Sequence, residues 1–232
     1  MNYQLTPIAT IRTDFPTKFG VPRQSGLVRG LKGTIVFLPE YRDPEALRGL
    51  EGFSHIWLLW DFSEARRSGG GSRSTVRPPR LGGNRRMGVW ATRSPFRPNN
   101  IGLSSVRIVD IRLHTPDGPI IEVEGADLMD GTPIFDIKPY LPFTDCHPDA
   151  LGGFAEEQNR VAEPLKVSLS ARLQTAFNEE RQEALRSILS ADPRPHYHAD
   201  AERVYAMEFA GKEVKFRVAN GEVQAWIKGE DQ

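Results

Sequence analysis

The sequence predicts a mainly β protein, with an antiparallel β domain over residues 1–150 and a small α+β domain over 165–232. Three observations lead there. Short runs of β-branched and aromatic residues, separated by clusters of Gly, Pro, Asn and Asp, fill the first part of the chain. Only Ser170 to Leu189 carries apolar residues at helical spacing, through Leu173, Phe177, Leu185, Ile188 and Leu189. After it come three more short strand-like runs divided by Gly211-Lys212 and Asn220-Gly221.

Taken in order, Leu5 to Arg12 and Gly33 to Leu38 read as strands, with PRQSG at 22–26 as a turn between them. Pro44 to Leu50 has room for one helical turn. Phe53 to Phe62 is apolar apart from Ser54, His55 and Asp61, and its length and aromatics favour a buried strand. Ser63 to Gly83 is loop material. Met87 to Ala91, Ile101 to Leu113 and Ile120 to Gly125 are further strands, the last two joined by the hairpin turn HTPDGP at 114–119. The segment 126–148 holds Pro133, Pro139, Pro142 and Pro148, and reads as an extended, loop-rich cap. Composition turns loose and polar around 149–165, where the domain boundary is placed. The helix over 170–189 ends at ADPRPHY, 191–197, and Val204–Phe209, Val214–Val218 and Val223–Ile227 are the closing strands.

The chain has 232 residues, 39% of them hydrophobic and 26% charged, which suits a globular fold with a sizeable core. A single cysteine, Cys146, excludes an internal disulfide and a cysteine-based zinc site, and suits a reducing compartment. The opening MNYQLTPIATIRTD lacks the basic and apolar regions of a signal peptide, and IWLLW at 56–60 is too short to span a bilayer. A cytoplasmic protein without a membrane segment is expected.

The net charge of zero hides an asymmetry. From Arg66 to Arg107 there are ten arginines, no lysine and no acid, so the rest of the chain carries 20 basic against 30 acidic residues. Ordinary solvated surfaces mix both signs and use lysine freely. Arginine interleaved with Trp90 and Phe96 favours bidentate binding of phosphate or carboxylate, and stacking.

No GxGxxG follows a strand, and neither GxxxxGK[ST], HExxH nor GxSxG occurs. His196 and His198 form no convincing metal set, and mid-strand His55 reads as a core histidine. What the chain does hold are three segments of glycine, proline and polar residues without regular period. They are VPRQSGL (21–27), TVRPPRLGGNRRMGVWATRSPFRPNNIGLS (75–104) and GADLMDGTPIFDIKPYLPF (125–143). Such backbone offers free N–H and C=O groups at fixed angles. Asp127, Asp130 and Asp136 can accept from ribose hydroxyls or an α-amino group, and the arginines can take a carboxylate or RNA phosphates. Taken singly, each segment also suits a tight barrel turn.

Together with PRQSGL, GLEGFSHIWLLW and ADPRPHY, these long motifs resemble the TrmO family of S-adenosylmethionine-dependent tRNA methyltransferases. The likeness is close over 1–150 and looser in the tail. It implies a compact antiparallel β-barrel as the N-terminal domain and a homodimer with S-adenosylmethionine bound near the dimer interface. It also implies methylation at N6 of N6-threonylcarbamoyladenosine, next to the anticodon of a threonine tRNA. Carried onto matching positions, the cofactor contacts are Gln24, Ser25, Gly26, Phe62, Ser63, Trp90, Asn100, Leu128, Met129, Asp130 and Gly131. The family commonly has a histidine just after the aromatic that ends the IWLLW strand, where this chain has Ser63. A backbone contact survives that change, whereas a role for the histidine side chain does not.

In this reading Ala91 to Asn100 is a rigid rim, with Trp90 and Asn100 bordering the cofactor. Arg93 and Arg97 face either RNA or the threonyl carboxylate. Arg77, Arg80, Arg85, Arg194 and Tyr197 extend the RNA surface. The carbamoyl group delocalises the N6 lone pair and acidifies its N–H, so a base helps; Asp130 and Asp136 are the candidates, with Tyr140 a weaker one. The rival readings are an RNA-binding barrel without catalysis and a methyltransferase of another nucleotide-like acceptor.

Overall fold

Six strands close on themselves into an antiparallel barrel: β1 (Ala9–Thr13), β2 (Lys32–Phe37), β3 (His55–Asp61), β6 (Ile101–Arg112), β7 (Ile120–Glu124) and β8 (Thr132–Pro139). Around the barrel they run β1-β2-β7-β6-β3-β8, and every neighbouring pair is antiparallel. The computed structural model describes residues 4–28, 30–64, 71–78, 85–159, 164–194 and 202–230. Two short strands, β4 (Thr75–Val76) and β5 (Met87–Gly88), pair outside the barrel within the long connection from β3 to β6.

Alternation explains the barrel's interior. Side chains of successive strand residues point to opposite faces, so a closed barrel needs one apolar set per strand. Ile11, Ile35, Ile56, Leu58, Ile121 and Ile134 meet that need and are all buried. Closure also demands close packing at one point. Gly102 lies opposite Trp60 in the β3–β6 register, and a Cβ on it would stand only 2.2 Å from the nearest indole carbon. Gly102→Ala is expected to cost about 1–3 kcal/mol by overpacking, read as a lower denaturant midpoint with unchanged slope; an unchanged midpoint would show that the ring yields freely.

The proline-rich stretch expected to be a loop-rich cap instead forms β8, which closes the barrel between β1 and β3. Its prolines sit at the second and last positions, Pro133 and Pro139, leaving Ile134 to Lys138 free to donate. A bulge sets Leu59 opposite Asp136 but Trp60 opposite Ile134, so Phe135 is the extra residue. The expected strand Met87–Ala91 is shorter than predicted. After Gly88 the chain turns through a 3-10 helix, Val89–Ala91. The expected single helix is two, Ala171–Ala176 and Glu179–Ser190. Asn178 breaks it by accepting the Arg181 N–H at 3.0 Å, an N-cap that starts the second helix afresh.

These helices pack on a second sheet of order β10-β11-β12-β9: β9 (Lys166–Leu169), β10 (Tyr205–Phe209), β11 (Lys212–Ala219) and β12 (Glu222–Ile227). Both of its hairpins turn through residues with positive φ, Ala210-Gly211 and Asn220-Gly221. The core of this unit borrows from the start of the chain. Phe15, Val28 and Leu31 are buried among Leu185, Phe209 and Phe216. Arg181 donates twice to the Asp14 carboxylate, at 3.1 and 2.9 Å, and Lys32 pairs with Glu180 at 2.7 Å. The segment leaving β1 is therefore fixed between the barrel and the helices before it returns to β2.

Candidate active site at one mouth of the barrel

Antiparallel strands send alternate connections to opposite ends of a barrel. The β1–β2, β3–β6 and β7–β8 connections all leave one end, where Thr13, Asp61 and Glu124 end their strands and Lys32, Ile101 and Thr132 begin theirs. These connections hold the first of the three glycine- and proline-rich segments, most of the second (75–100) and the start of the third (125–131). The β2–β3 and β6–β7 connections leave the other end.

Specific bonds draw the three segments together. The Gly26 N–H donates to the Gly125 carbonyl at 2.9 Å, and the Gly125 N–H to the Leu31 carbonyl at 2.9 Å. A Cβ on Gly125 would stand 3.2 Å from Gly26 N and Cα, and its φ is +83°, so glycine serves both the close approach and the backbone angle. Glu124 accepts the Gly30 N–H at 2.7 Å and Arg107 Nε at 2.8 Å; these bonds hold its carboxyl below the ordinary range. Arg93 Nη1 donates to Gln24 Oε1 at 2.5 Å, tying the second segment to the first. The Phe62 N–H donates to the Asn100 carbonyl at 2.9 Å across the ends of the β3–β6 connection.

Beneath this rim lies a polar chain within an apolar barrel. Trp60 Nε1 donates to Ser104 Oγ at 2.9 Å, which leaves the hydroxyl proton for Asp127 Oδ1 at 2.5 Å. Burial pushes the Asp127 carboxyl above its ordinary value, against the Ser104 hydroxyl, its own and Ser25 backbone N–H bonds and the charge of Arg93. Asp127 thus meets all three segments: it belongs to the third, accepts from Ser25 of the first and feels Arg93 of the second. Phe62 stacks at a tilt on Trp60, with ring centroids 4.2 Å apart.

The expected contacts divide between this mouth and other places. Gln24, Ser25, Gly26, Phe62, Asn100 and Leu128–Gly131 all belong to the three connections at this mouth. Leu128 is buried in the core, and its carbonyl accepts the Thr13 hydroxyl at 3.1 Å. Asp130 is exposed and accepts the Thr13 N–H at 3.0 Å, lining a cleft shared with Ala210 and Gly211. Asp136 pairs with Leu59 in mid-strand and with Lys138 at 2.9 Å. Tyr140 lies past the far end of β8, its N–H on the His55 carbonyl, so within one chain it stands at the end opposite the mouth. Desolvation, with Cys146 and Asp145 nearby, raises the Tyr140 phenol, the wrong direction for a base. Of the three candidate bases, strand register therefore places only Asp130 at the mouth within one chain, with Asp136 in mid-strand and Tyr140 at the far end.

The arginines divide too. Arg97 donates to the carbonyls of Val89 at 3.3 Å and Thr92 at 2.6 Å, and Asn100 Nδ2 donates to the Pro95 carbonyl. Both polar side chains staple their own turn together, so one nitrogen of the Arg97 guanidinium serves the fold. Arg194 is held in a bidentate pair with Asp192, at 2.8 and 2.9 Å, with its side chain 16% exposed. That pair withdraws it from the expected RNA surface. Arg77, Arg85 and Arg93 are exposed. Arg80 and Tyr197 lie outside the described residues. The Trp60–Ser104–Asp127 chain was not foreseen. Its signal was present, because Gly102, Ser104 and Val106 alternate along β6 and place a hydroxyl inward.

The donor set suits a ligand of mixed character. It joins a half-buried carboxyl, an amide, a guanidinium, glycine backbone and aromatic faces. The amide, glycine backbone and aromatic faces match the ribose hydroxyls and purine that S-adenosylmethionine carries, which leaves the carboxyl and guanidinium for polar groups of an acceptor. Among the described residues no cluster of histidines, cysteines and acids could hold a metal ion.

Comparison with known proteins agrees with the geometry. The family model described as tRNA-methyltransferase O N-terminal domain matches residues 10–146, and the TrmO C-terminal domain model matches 162–226. The chain is 43% identical over 227 residues to the tRNA (adenine(37)-N6)-methyltransferase of Escherichia coli, covering 94% of both chains. It is 41% identical over 206 residues to Pseudomonas aeruginosa RcsF, provisionally named an S-adenosylmethionine-dependent methyltransferase, covering 85% of this chain and 84% of that one. The crystal structure of TrmO from Pseudomonas aeruginosa superposes with a TM-score of 0.78 at 32% identity, over 99% of each chain.

Proposed function

The chain belongs to the tRNA-methyltransferase O family, and from that premise we propose that it methylates N6 of N6-threonylcarbamoyladenosine beside the anticodon of a threonine tRNA. The observation that carries this reading is the convergence of the three motif segments on one barrel mouth, around half-buried Asp127 and beside the arginine-rich rim. S-adenosylmethionine, when bound, supplies a methyl group on a sulfonium that needs no acid to leave.

The protein's own residues have three tasks. Gln24, Ser25 and Gly26, Phe62 and Ser63, Asn100, and the backbone of Leu128 to Gly131 form the walls that hold the cofactor. Their mutual bonds keep those walls in place before the ligand arrives, which lowers the cost of alignment. Arg93, bonded to Gln24 at the rim, meets the threonyl carboxylate. Asp127 takes the proton that N6 must lose. It is a half-buried carboxyl at the mouth, oriented by Ser104, and desolvation raises it above its ordinary value. The arginines at 77, 80 and 85 hold anticodon-loop phosphates.

The reading includes action as a homodimer in the cytoplasm. Apolar Leu103, Phe143 and Leu151 are exposed on each chain and offer surface for a second copy, and the free, exposed Cys146 suits a reducing compartment. No helix among the described residues is long and apolar enough to cross a membrane. Titration calorimetry with S-adenosylmethionine separates this reading from an RNA-binding barrel without catalysis. Saturable heat is expected. Its absence, with RNA binding intact, would favour the binder.

A further inference from the structure

We propose that Trp90 is a stacking platform for an unpaired nucleobase of the RNA, a role that rests on the reading of the chain as a tRNA-modifying enzyme. Trp90 sits in the 3-10 turn Val89–Ala91 at the rim. Val89 is buried and anchors the turn, whereas Trp90 is 72% exposed. Single exposed apolar residues are common on protein surfaces. This one differs in how it is supported.

The Arg97 guanidinium carbon lies 5.4 Å from the centroid of the Trp90 ring. Its position is set by the carbonyls of Val89 and Thr92, which accept from Nη1 at 3.3 and 2.6 Å. Asn100, bonded to the Pro95 carbonyl, braces the same turn. A fixed cation therefore backs the indole while most of the ring remains in water. The arrangement recurs nearby, where Arg73 lies 4.8 Å from the centroid of Phe96 and its N–H donates to the Phe96 carbonyl at 3.1 Å. Cation-backed aromatic rings amid arginines without acids are the elements by which proteins hold single-stranded nucleic acid: charge for the phosphates and rings for the bases.

Position gives the platform its task. Trp90 is three residues before Arg93, which bonds Gln24 at the mouth, and the turn runs on to Asn100, whose carbonyl accepts from Phe62. A base presented to the mouth must leave its stack, and its neighbour then loses a stacking partner. Trp90 replaces that partner. On this account its ring meets a base beside the modified adenosine and does not wall the cofactor.

The test uses a threonine tRNA anticodon stem-loop carrying 2-aminopurine beside the target adenosine, with wild-type protein, Trp90→Ala and Trp90→Phe. Trp90→Ala is expected to weaken RNA binding about 5- to 100-fold and abolish the change in 2-aminopurine emission. Trp90→Phe restores most of both. S-adenosylmethionine affinity and thermal midpoint remain those of wild type in both variants. Wild-type RNA affinity and emission change in Trp90→Ala would overturn the platform. So would lost cofactor affinity with RNA binding intact, which would make Trp90 a cofactor wall. Failure of the wild-type protein to bind the RNA at all would instead remove the functional reading, and the platform with it.

Discussion

Asp127→Asn is expected to lower kcat by about 100-fold or more while leaving the affinity for S-adenosylmethionine within a few-fold of wild type. Asparagine keeps an oxygen for the Ser104 hydroxyl but cannot take a proton from N6. The same change should remove the rising limb of the rate against pH, since that limb follows ionisation of this carboxyl. Stability offers a second readout. Burial raises the folded-state value of Asp127, so the folded protein holds a proton where the unfolded chain has released it. Its contribution to stability is therefore greatest in acid. It declines as pH rises from the ordinary aspartate value, about 3.9, through the raised one. Asp127→Asn should flatten that decline. Unchanged kcat would exclude Asp127 as the proton acceptor. A large loss of cofactor affinity with unchanged kcat would make it a cofactor ligand.

The second large effect concerns charge. With Arg77, Arg80 and Arg85 all changed to alanine, tRNA binding should fall by about 100-fold at low salt. The dependence of log affinity on log salt should become shallower by about two to three. Cofactor binding should be unaffected, because the walls assigned to it are other residues of the three connections. A triple variant that binds tRNA as wild type does would move the phosphate contacts elsewhere. Tight cofactor binding by a wild-type protein that never engages tRNA would support methylation of a smaller nucleotide-like acceptor.

Much of this architecture is legible in the chain because strand alternation and turn chemistry are local. Ile11, Ile35 and Ile121 announce buried strand faces, and Asn220-Gly221 announces a two-residue hairpin. The failures have physical causes. Proline density hid β8, because counting prolines does not show that Pro133 and Pro139 occupy strand positions where the missing N–H is tolerated. The apolar period ran across Phe177 and hid the break that Asn178 makes by capping a new helix. At the mouth, the motifs named the right segments but not which side chains serve the fold. Arg97 and Asn100 bond to carbonyls of their own turn, and Arg194 to Asp192, which motif matching cannot distinguish from ligand contacts. Asp127 carries no more sequence signal than Asp130 or Asp136. Its weight comes from Trp60 and Ser104, which lie far from it in sequence and are brought beneath it by barrel closure.

Methyl transfer to the modified nucleoside can be read by incubating the protein with methyl-labelled S-adenosylmethionine and two threonine tRNA samples, one bearing N6-threonylcarbamoyladenosine beside the anticodon and one lacking it. Label on the modified tRNA alone, at N6 of that nucleoside after digestion, is the predicted result. Equal label on both, or none on either while the cofactor binds, would contradict it and direct the search to another acceptor.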